Sequence, residues 1–342
     1  MKIEQTLWTA ANQWSPESPG KSCHGADLTL VFGSNALLRN EQLISEIRSA
    51  YPNALITGCS TAGEICGTRV MDDSLAVTAV QFESSSIKSS MVKVDSAENS
   101  YESGKKLAES IPHENLAHVF VLSDGLNVNG SELVAGLTAH LPEHLTVTGG
   151  LSGDGDRFEN TLVLWDDIAQ SNTVALVGLY GEQLKIGYGS LGGWDPFGPE
   201  RLVTRSEGNI LYELDGQSAL GLYKEYLGNH ADELPGSGLL FPLSIRSEEK
   251  KRGVVRTILA VDDGENSMTF AGDVPEGSYA QLMKANFNRL IDGATDAART
   301  SYQAIGSATP EFSILISCVG RRMVLKQRIE EENEGVRDIL GN

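Results

Sequence analysis

Cysteine is scarce in this chain: Cys23, Cys59, Cys66 and Cys318 are all there is among 342 residues. So few cannot build a disulfide scaffold, and none falls into a CxxC or zinc-type spacing, which fits a reducing compartment. Long apolar runs are missing as well. TVALVGLYG (173–181) and FSILISCVG (312–320) are strand-length, far below the roughly 18 residues of a membrane span. The N-terminal MKIEQTLWTAANQWSPESPG has no apolar core of a signal peptide. Positive charge is in short supply: 27 Lys and Arg against 46 Asp and Glu leave a net charge of −19. That surplus disfavours nucleic acid and anionic membranes as partners. Together these absences point to a cytoplasmic protein.

A hydrophobic fraction of 40% with 21% charged residues is ordinary globular usage, so the acidity is not a signature of disorder. A chain of 342 residues exceeds what one core usually organises, and two domains are expected.

An internal duplication organises the first half. LTLVFGSNALLRNEQLISEIRSAYPNALITGCS (28–60) and HVFVLSDGLNVNGSELVAGLTAHLPEHLTVTGGLS (118–152) share one plan. An apolar strand ends at Ser34 or Ser123, and a helix follows with Leu43, Ile44 and Ile47 or Leu133, Val134 and Leu137 at helical spacing. Pro52 or Pro142 stops the helix, and a second strand ends in Thr-Gly at 57–58 or 148–149. Two such β-α-β units predict parallel strands with Gly- and Ser-bearing ends along one edge, where ligands of open α/β sheets bind. Candidate ligand-binding residues are therefore Thr57, Gly58, Ser60, Gly63 and Glu64 in the first loop. Gly149, Gly150, Ser152 and Asp154 are their counterparts in the second.

From about residue 160 consecutive strands without helices predict an antiparallel meander: TLVLWDD, NTVALVGLYG, EQLKIGYGSLG and PERLVTRSEG. A helix is expected over Gln217 to Leu227, with a domain boundary near 225. Beyond it come two strands around the Asp-Asp-Gly turn at 262–264. A long helix carries Met283, Phe287, Leu290, Ala294 and Ala298, FSILISCVG reads as a strand, and a charged helix runs from Arg321 to about Leu340. The expected class is mixed α/β: duplicated β-α-β units in a mainly parallel sheet, then antiparallel strands, then a smaller α+β domain. Its parts are an extension over 1–26, a first domain over 27–225 and a second over 226–342.

Most catalytic and cofactor motifs fail on context. Gly187, Gly189 and Gly192 spell GxGxxG, but GWDPFGP follows where a helix would have to open. GCSTAG is one residue too long for a nucleophile elbow, so a hydrolase built on Ser60 or Cys59 is a weak alternative. Histidines 140 and 144 are separated by Pro142 and cannot share a helical face as metal ligands. The loop GSLGGWDPFGPERLVTRSEGN (189–209) stands apart, with Trp194, Asp195, Phe197 and Arg201 as further ligand-binding candidates unless the aromatics merely plug the sheet.

ITGCSTAGEI, SDGLNVNGSELV with VTGGLSGDG, and GSLGGWDPFGPERLVTRSEGNILYELDGQSALGLYKEYLG resemble FIST proteins, from about Asp27 to the end of the chain. The WDPFGPER block is similar to the haem-containing, nitric-oxide-sensing branch. The resemblance implies FIST N and FIST C domains and a non-catalytic signal-transduction sensor that acts on a histidine kinase or cyclic-di-GMP enzyme. It implies haem b as cofactor, noncovalent because CxxCH is absent; the sequence singles out no axial ligand, with His230, after the helix of the WDPFGPER block, as the candidate, and Arg201 and Arg205 as the nearest basic residues for the anionic propionates. Without haem it implies a sensor for amino acids or similar metabolites, with Glu64 or Asp154 as the ammonium partner. The sequence leaves a homodimer open. Such proteins usually continue past the ILGN at which this sequence stops.

Overall fold

The computed structural model describes residues 1–247 and 253–341. Its first domain is two sheets packed face to face with helices outside, and the duplication explains both. In the first sheet the strands Leu55–Ser60, Leu28–Gly33, Ser74–Gln81 and Lys2–Thr9 lie side by side in that order. In the second the order is Val147–Leu151, Leu116–Ser123, Thr173–Tyr180 and Ser86–Lys93. Each begins with a parallel pair, and the next two strands follow antiparallel. The repeat thus extends beyond the β-α-β unit to an added strand on either side. The two units lie in separate sheets, each holding a single parallel pair, and not in one mainly parallel sheet.

Alternation along the strands sorts the core. In Leu28–Gly33, Val31 faces the helix Glu41–Ala50 with Leu43, Ile44 and Ile47, while Leu28 and Leu30 face the other sheet. In Leu116–Ser123, Val119 and Val121 face the helix Gly130–His140, and Phe120 and Leu122 meet Leu30 and Cys59 between the sheets. Each fully buried side chain of this kind contributes about 1.5–3 kcal/mol before entropy is set against it.

The repeated Thr-Gly has a steric cause. A Cβ on Gly58 would lie 1.7 Å from the Val31 carbonyl oxygen, and one on Gly149 would lie 1.8 Å from that of Val121. The two glycines occupy one structural position. Strand register pairs Thr57 with Leu30 and Thr148 with Phe120. It follows that Ser123 matches Gly33 and Ser34 matches Asp124, one residue off the alignment expected from the serines.

The halves differ at one edge. The hairpin Val163–Trp165 and Ile168–Gln170, from the second half, adds to the first sheet beside Leu55–Ser60. Its counterpart in the first half, Glu64–Cys66 with Arg69–Met71, stays a separate two-stranded piece. Among the described residues nothing pairs with the outer edge of Val147–Leu151.

The second domain centres on a nine-stranded sheet. It draws strands from both sides of residue 225: Trp194–Pro196 and Arg201–Glu207 bond to Tyr279–Ala285, and Ile210–Leu214 bonds to Ser267–Phe270. The expected hairpin at 262–264 is present as Ile258–Asp262 and Ser267–Phe270. The helix Ala219–Leu227 is capped by the Ser218 side chain. The long helix spans Phe287–Ala304, capped by Asn286, so Met283 belongs to the preceding strand.

Two segments expected as strands are extended but unpaired. EQLKIGYGSLG lies along the long helix, where a Cβ on Gly187, Gly189 or Gly193 would come within 2.0, 2.0 and 2.3 Å of the carbonyl oxygens of Ser301, Ala297 and Arg289. Close approach to a helix backbone, not a pyrophosphate, accounts for Gly187, Gly189 and Gly193, whereas a Cβ on Gly192 would meet only Trp194, at 3.6 Å. FSILISC runs next to Gly150 with Ile314 and Ile316 exposed. The charged C-terminal helix is broken into Val319–Leu325, a 3-10 turn and Ile329–Leu340.

Candidate functional site

The two predicted loops meet: the Gly153 N–H donates to the Ser60 carbonyl at 2.8 Å. Their polar groups are spent on one another. Ser60 is fully buried and its Oγ accepts from the Leu162 N–H at 2.9 Å. Glu64 accepts from the Thr61 hydroxyl at 2.7 Å and from the Ser74 hydroxyl and N–H at 2.7 and 3.2 Å. Burial pushes its carboxyl above the usual range, against those hydrogen bonds. Asp154 accepts from Asn35 at 2.7 Å, from Arg157 and from the Asn160 N–H. The Ser152 hydroxyl donates to the Ser123 carbonyl at 3.0 Å, and Thr57 does the same to Leu164. Gly63 sits under the Arg322 guanidinium. Neither carboxylate is left for a ligand's ammonium group. This junction ties the halves together.

The open volume lies elsewhere. A cleft of about 2140 Å³ runs between the domains along the unpaired edge of Val147–Leu151. One wall carries His118, Phe120, Thr148, Gly149 and Gly150; the other carries Trp194, Arg289, Asp292 and the two unpaired segments. Of the residues expected from the sequence, Gly149, Gly150 and Trp194 reach it. Asp195 does not: it accepts from Asn286 at 3.0 Å and from Arg289, which together hold its carboxyl below the usual range. Phe197 and Arg201 line a separate small cavity in the second domain.

His118 is the wall residue that sequence reasoning passed over. Its Nδ1 lies 2.7 Å from the Thr146 hydroxyl and its Nε2 lies 2.8 Å from that of Thr148. Burial lowers its pKa from 6.5 to about 4, so the ring is neutral at physiological pH. The register places Leu28 and Leu55 at the points of the first half equivalent to His118 and Thr146, with Thr57 matching Thr148, so two polar residues replace an apolar pair in the copy that faces the cleft. The available signal was that departure between the repeats.

Haem requires an imidazole with a free ring nitrogen inside an apolar pocket. His230 is exposed on a 3-10 turn, with its ring 5.8 Å from that of Phe241, and lines neither cavity. Both nitrogens of His118 are engaged. Arg201 and Arg205 already pair with Asp215 and Glu213. As placed, neither His230 nor His118 fits a haem axial ligand, and among the described residues no cluster of three His, Cys, Asp or Glu could hold a metal ion. Nucleophilic catalysis fares no better. Cys59 is buried and its thiol is pushed up to about 12, and no described histidine bonds to it or to Ser60.

The architecture is a duplicated α/β sandwich joined to a second α+β domain across the cleft. Residues 27–217 match the FIST N domain and 219–342 the FIST C domain, and the chain belongs to the FIST family. FIST domains are sensory domains of signal-transduction proteins that bind small ligands. The chain is also similar to an uncharacterized protein of Methanocaldococcus jannaschii, 24% identical over 340 residues that cover 90% of this chain. It spans 63% of that relative's length. Among the described residues no helix is long and apolar enough to cross a membrane.

Proposed function

We propose that this protein is a non-catalytic sensor that takes up a small metabolite in the inter-domain cleft and relays its occupancy to a histidine kinase or cyclic-di-GMP enzyme. One observation carries this reading: the cleft borders the outer edge of Val147–Leu151, which among the described residues is unpaired, whereas the matching strand Leu55–Ser60 is covered by a hairpin. Pockets between domains are the common place for small ligands, at roughly 300–1,000 Å³. This cleft exceeds that range, so a metabolite fills part of it and closure of the domains supplies the rest. For an amino acid or similar ligand, Asp292 takes the role expected of Glu64 or Asp154. It lines the cleft and has no hydrogen-bond or ion-pair partner among the described residues.

A thermal-shift screen of amino acids and related metabolites tests the proposal. Ligands that raise the melting temperature should lose their effect in Gly150→Trp, which fills the cleft beside Ile316, and ammonium-bearing ones should weaken in Asp292→Asn. Stabilisation that survives Gly150→Trp contradicts the cleft as the site. Labelling by a serine or thiol probe that disappears in Ser60→Ala or Cys59→Ala would restore the hydrolase reading.

A further inference from the structure

The WDPFGPER block serves a second cavity. Beyond Trp194, which faces the cleft, Phe197, Pro199 and Arg201 wall an apolar space of about 20 Å³ inside the second domain, over Leu214, Ala219 and Met268. Space for one water takes about 10–15 Å³ on this measure, so the interior admits a methyl or ethyl group. Arg201 is only partly satisfied there. Its Nη1 donates to Asp215 at 3.0 Å and its Nη2 to the Tyr226 hydroxyl at 2.8 Å, while Nε is buried without a hydrogen-bond partner.

The chemistry of the wall selects a ligand class. Because Tyr226 accepts from Arg201, its own proton remains to be donated, whereas the Tyr223 hydroxyl is spent on the Phe241 carbonyl at 2.7 Å. Two donors, Arg201 Nε–H and Tyr226 O–H, therefore belong to residues that wall an otherwise apolar space, the Tyr226 ring being partly exposed. A water there could accept from both donors but would leave its own two protons facing apolar side chains, which makes it a poorer occupant than a group that only accepts. A carboxylate is disfavoured, because Asp215 already neutralises the guanidinium and a second anion would be desolvated without a counter-charge. A carbonyl oxygen on a short alkyl chain meets each requirement.

We propose that this cavity binds a small uncharged carbonyl compound, with its alkyl group beside Leu214, Ala219 and Met268 and its oxygen accepting from Arg201 and Tyr226. The site is separate from the cleft, so it stands or falls independently of the sensor reading. The test is methyl NMR of the full chain titrated with 2-butanone, read at the buried Met268 methyl. A saturable shift with a dissociation constant on the order of millimolar is expected for so few heavy atoms. It should weaken severalfold in Arg201→Lys, which keeps the charge but lacks Nε, and vanish in Ala219→Leu. Should Ala219→Leu fail to fold, Leu222→Trp blocks the same cavity from its partly exposed rim. No saturable shift at Met268 overturns the proposal, as does a shift unchanged in the filled variant. Tighter binding of butyrate than of 2-butanone overturns the uncharged class.

Discussion

The two halves of the first domain share strand order, strand direction and the glycine pressed against a neighbouring carbonyl, yet they are put to different uses. In the first half the edge strand Leu55–Ser60 is covered by a hairpin borrowed from the second half, and Thr57 bonds to that hairpin. In the second half the matching strand is left open, and Thr148 bonds to a buried neutral histidine on the cleft wall. One copy became a structural joint and the other a surface that faces a cavity. A duplicated scaffold can diverge this way because the strand pairs and helix packing that stabilise it need neither the outer edge nor the residues at the strand ends.

The largest expected effect tests whether the copies are equivalent. Gly58→Ala and Gly149→Ala each place a Cβ within 1.8 Å of a carbonyl oxygen, and each should cost about 3 kcal/mol or more in urea unfolding. If only one of the two destabilises the protein, the glycines do not share a structural role. Next in size is the pH dependence of the second copy. His118 titrates near 4 when folded against 6.5 for a free imidazole. The unfolded chain therefore binds its proton first, and the stability tied to the neutral ring is intact above 6.5 and lost as pH falls toward 4. At about 1.4 kcal/mol per pKa unit the loss is about 3 kcal/mol. Comparing the slope of stability against pH in the wild type and in His118→Leu isolates it, and equal slopes would remove His118 from the account.

Smaller still is the contrast between the threonines. Thr148→Val leaves a nitrogen of His118 unpaired and should cost about 2 kcal/mol, whereas Thr57→Val loses one hydrogen bond, about 1 kcal/mol. Reversal of that order would contradict the division of labour between the copies. The smallest effect concerns the surplus of acid. If the net charge of −19 helps a partner kinase to dock, affinity should fall modestly with added salt. Indifference to ionic strength would leave the charge as a solubility device.

Much of this was legible in the sequence, and the reasons are local. Thr-Gly recurs because Cβ is excluded at one point of the scaffold, and helices read correctly where side-chain caps mark them, as at Ser218. The misread strands have a common cause, which is that strand character does not name a pairing partner. FSILISC has the composition of a strand and lies beside an open edge, but tertiary placement leaves it unpaired. Met283 reads as helical because its spacing to Phe287 and Leu290 continues a helical period across a boundary that Asn286 caps. The carboxylates of the two loops read as available because nothing local to Glu64 or Asp154 reveals Ser74 or Asn35. His118 was hidden by the weak information in any single histidine, and only comparison of the repeats exposes it.

Hydrogen exchange, with and without a metabolite that stabilises the protein, compares the two halves within one molecule. The account predicts added protection over Val147–Leu151 and 309–317, with Leu55–Ser60 and the loop at 61–64 unchanged. Protection confined to the first-half loop, with the second-half edge unaffected, would contradict the claim that the open copy is the sensing one.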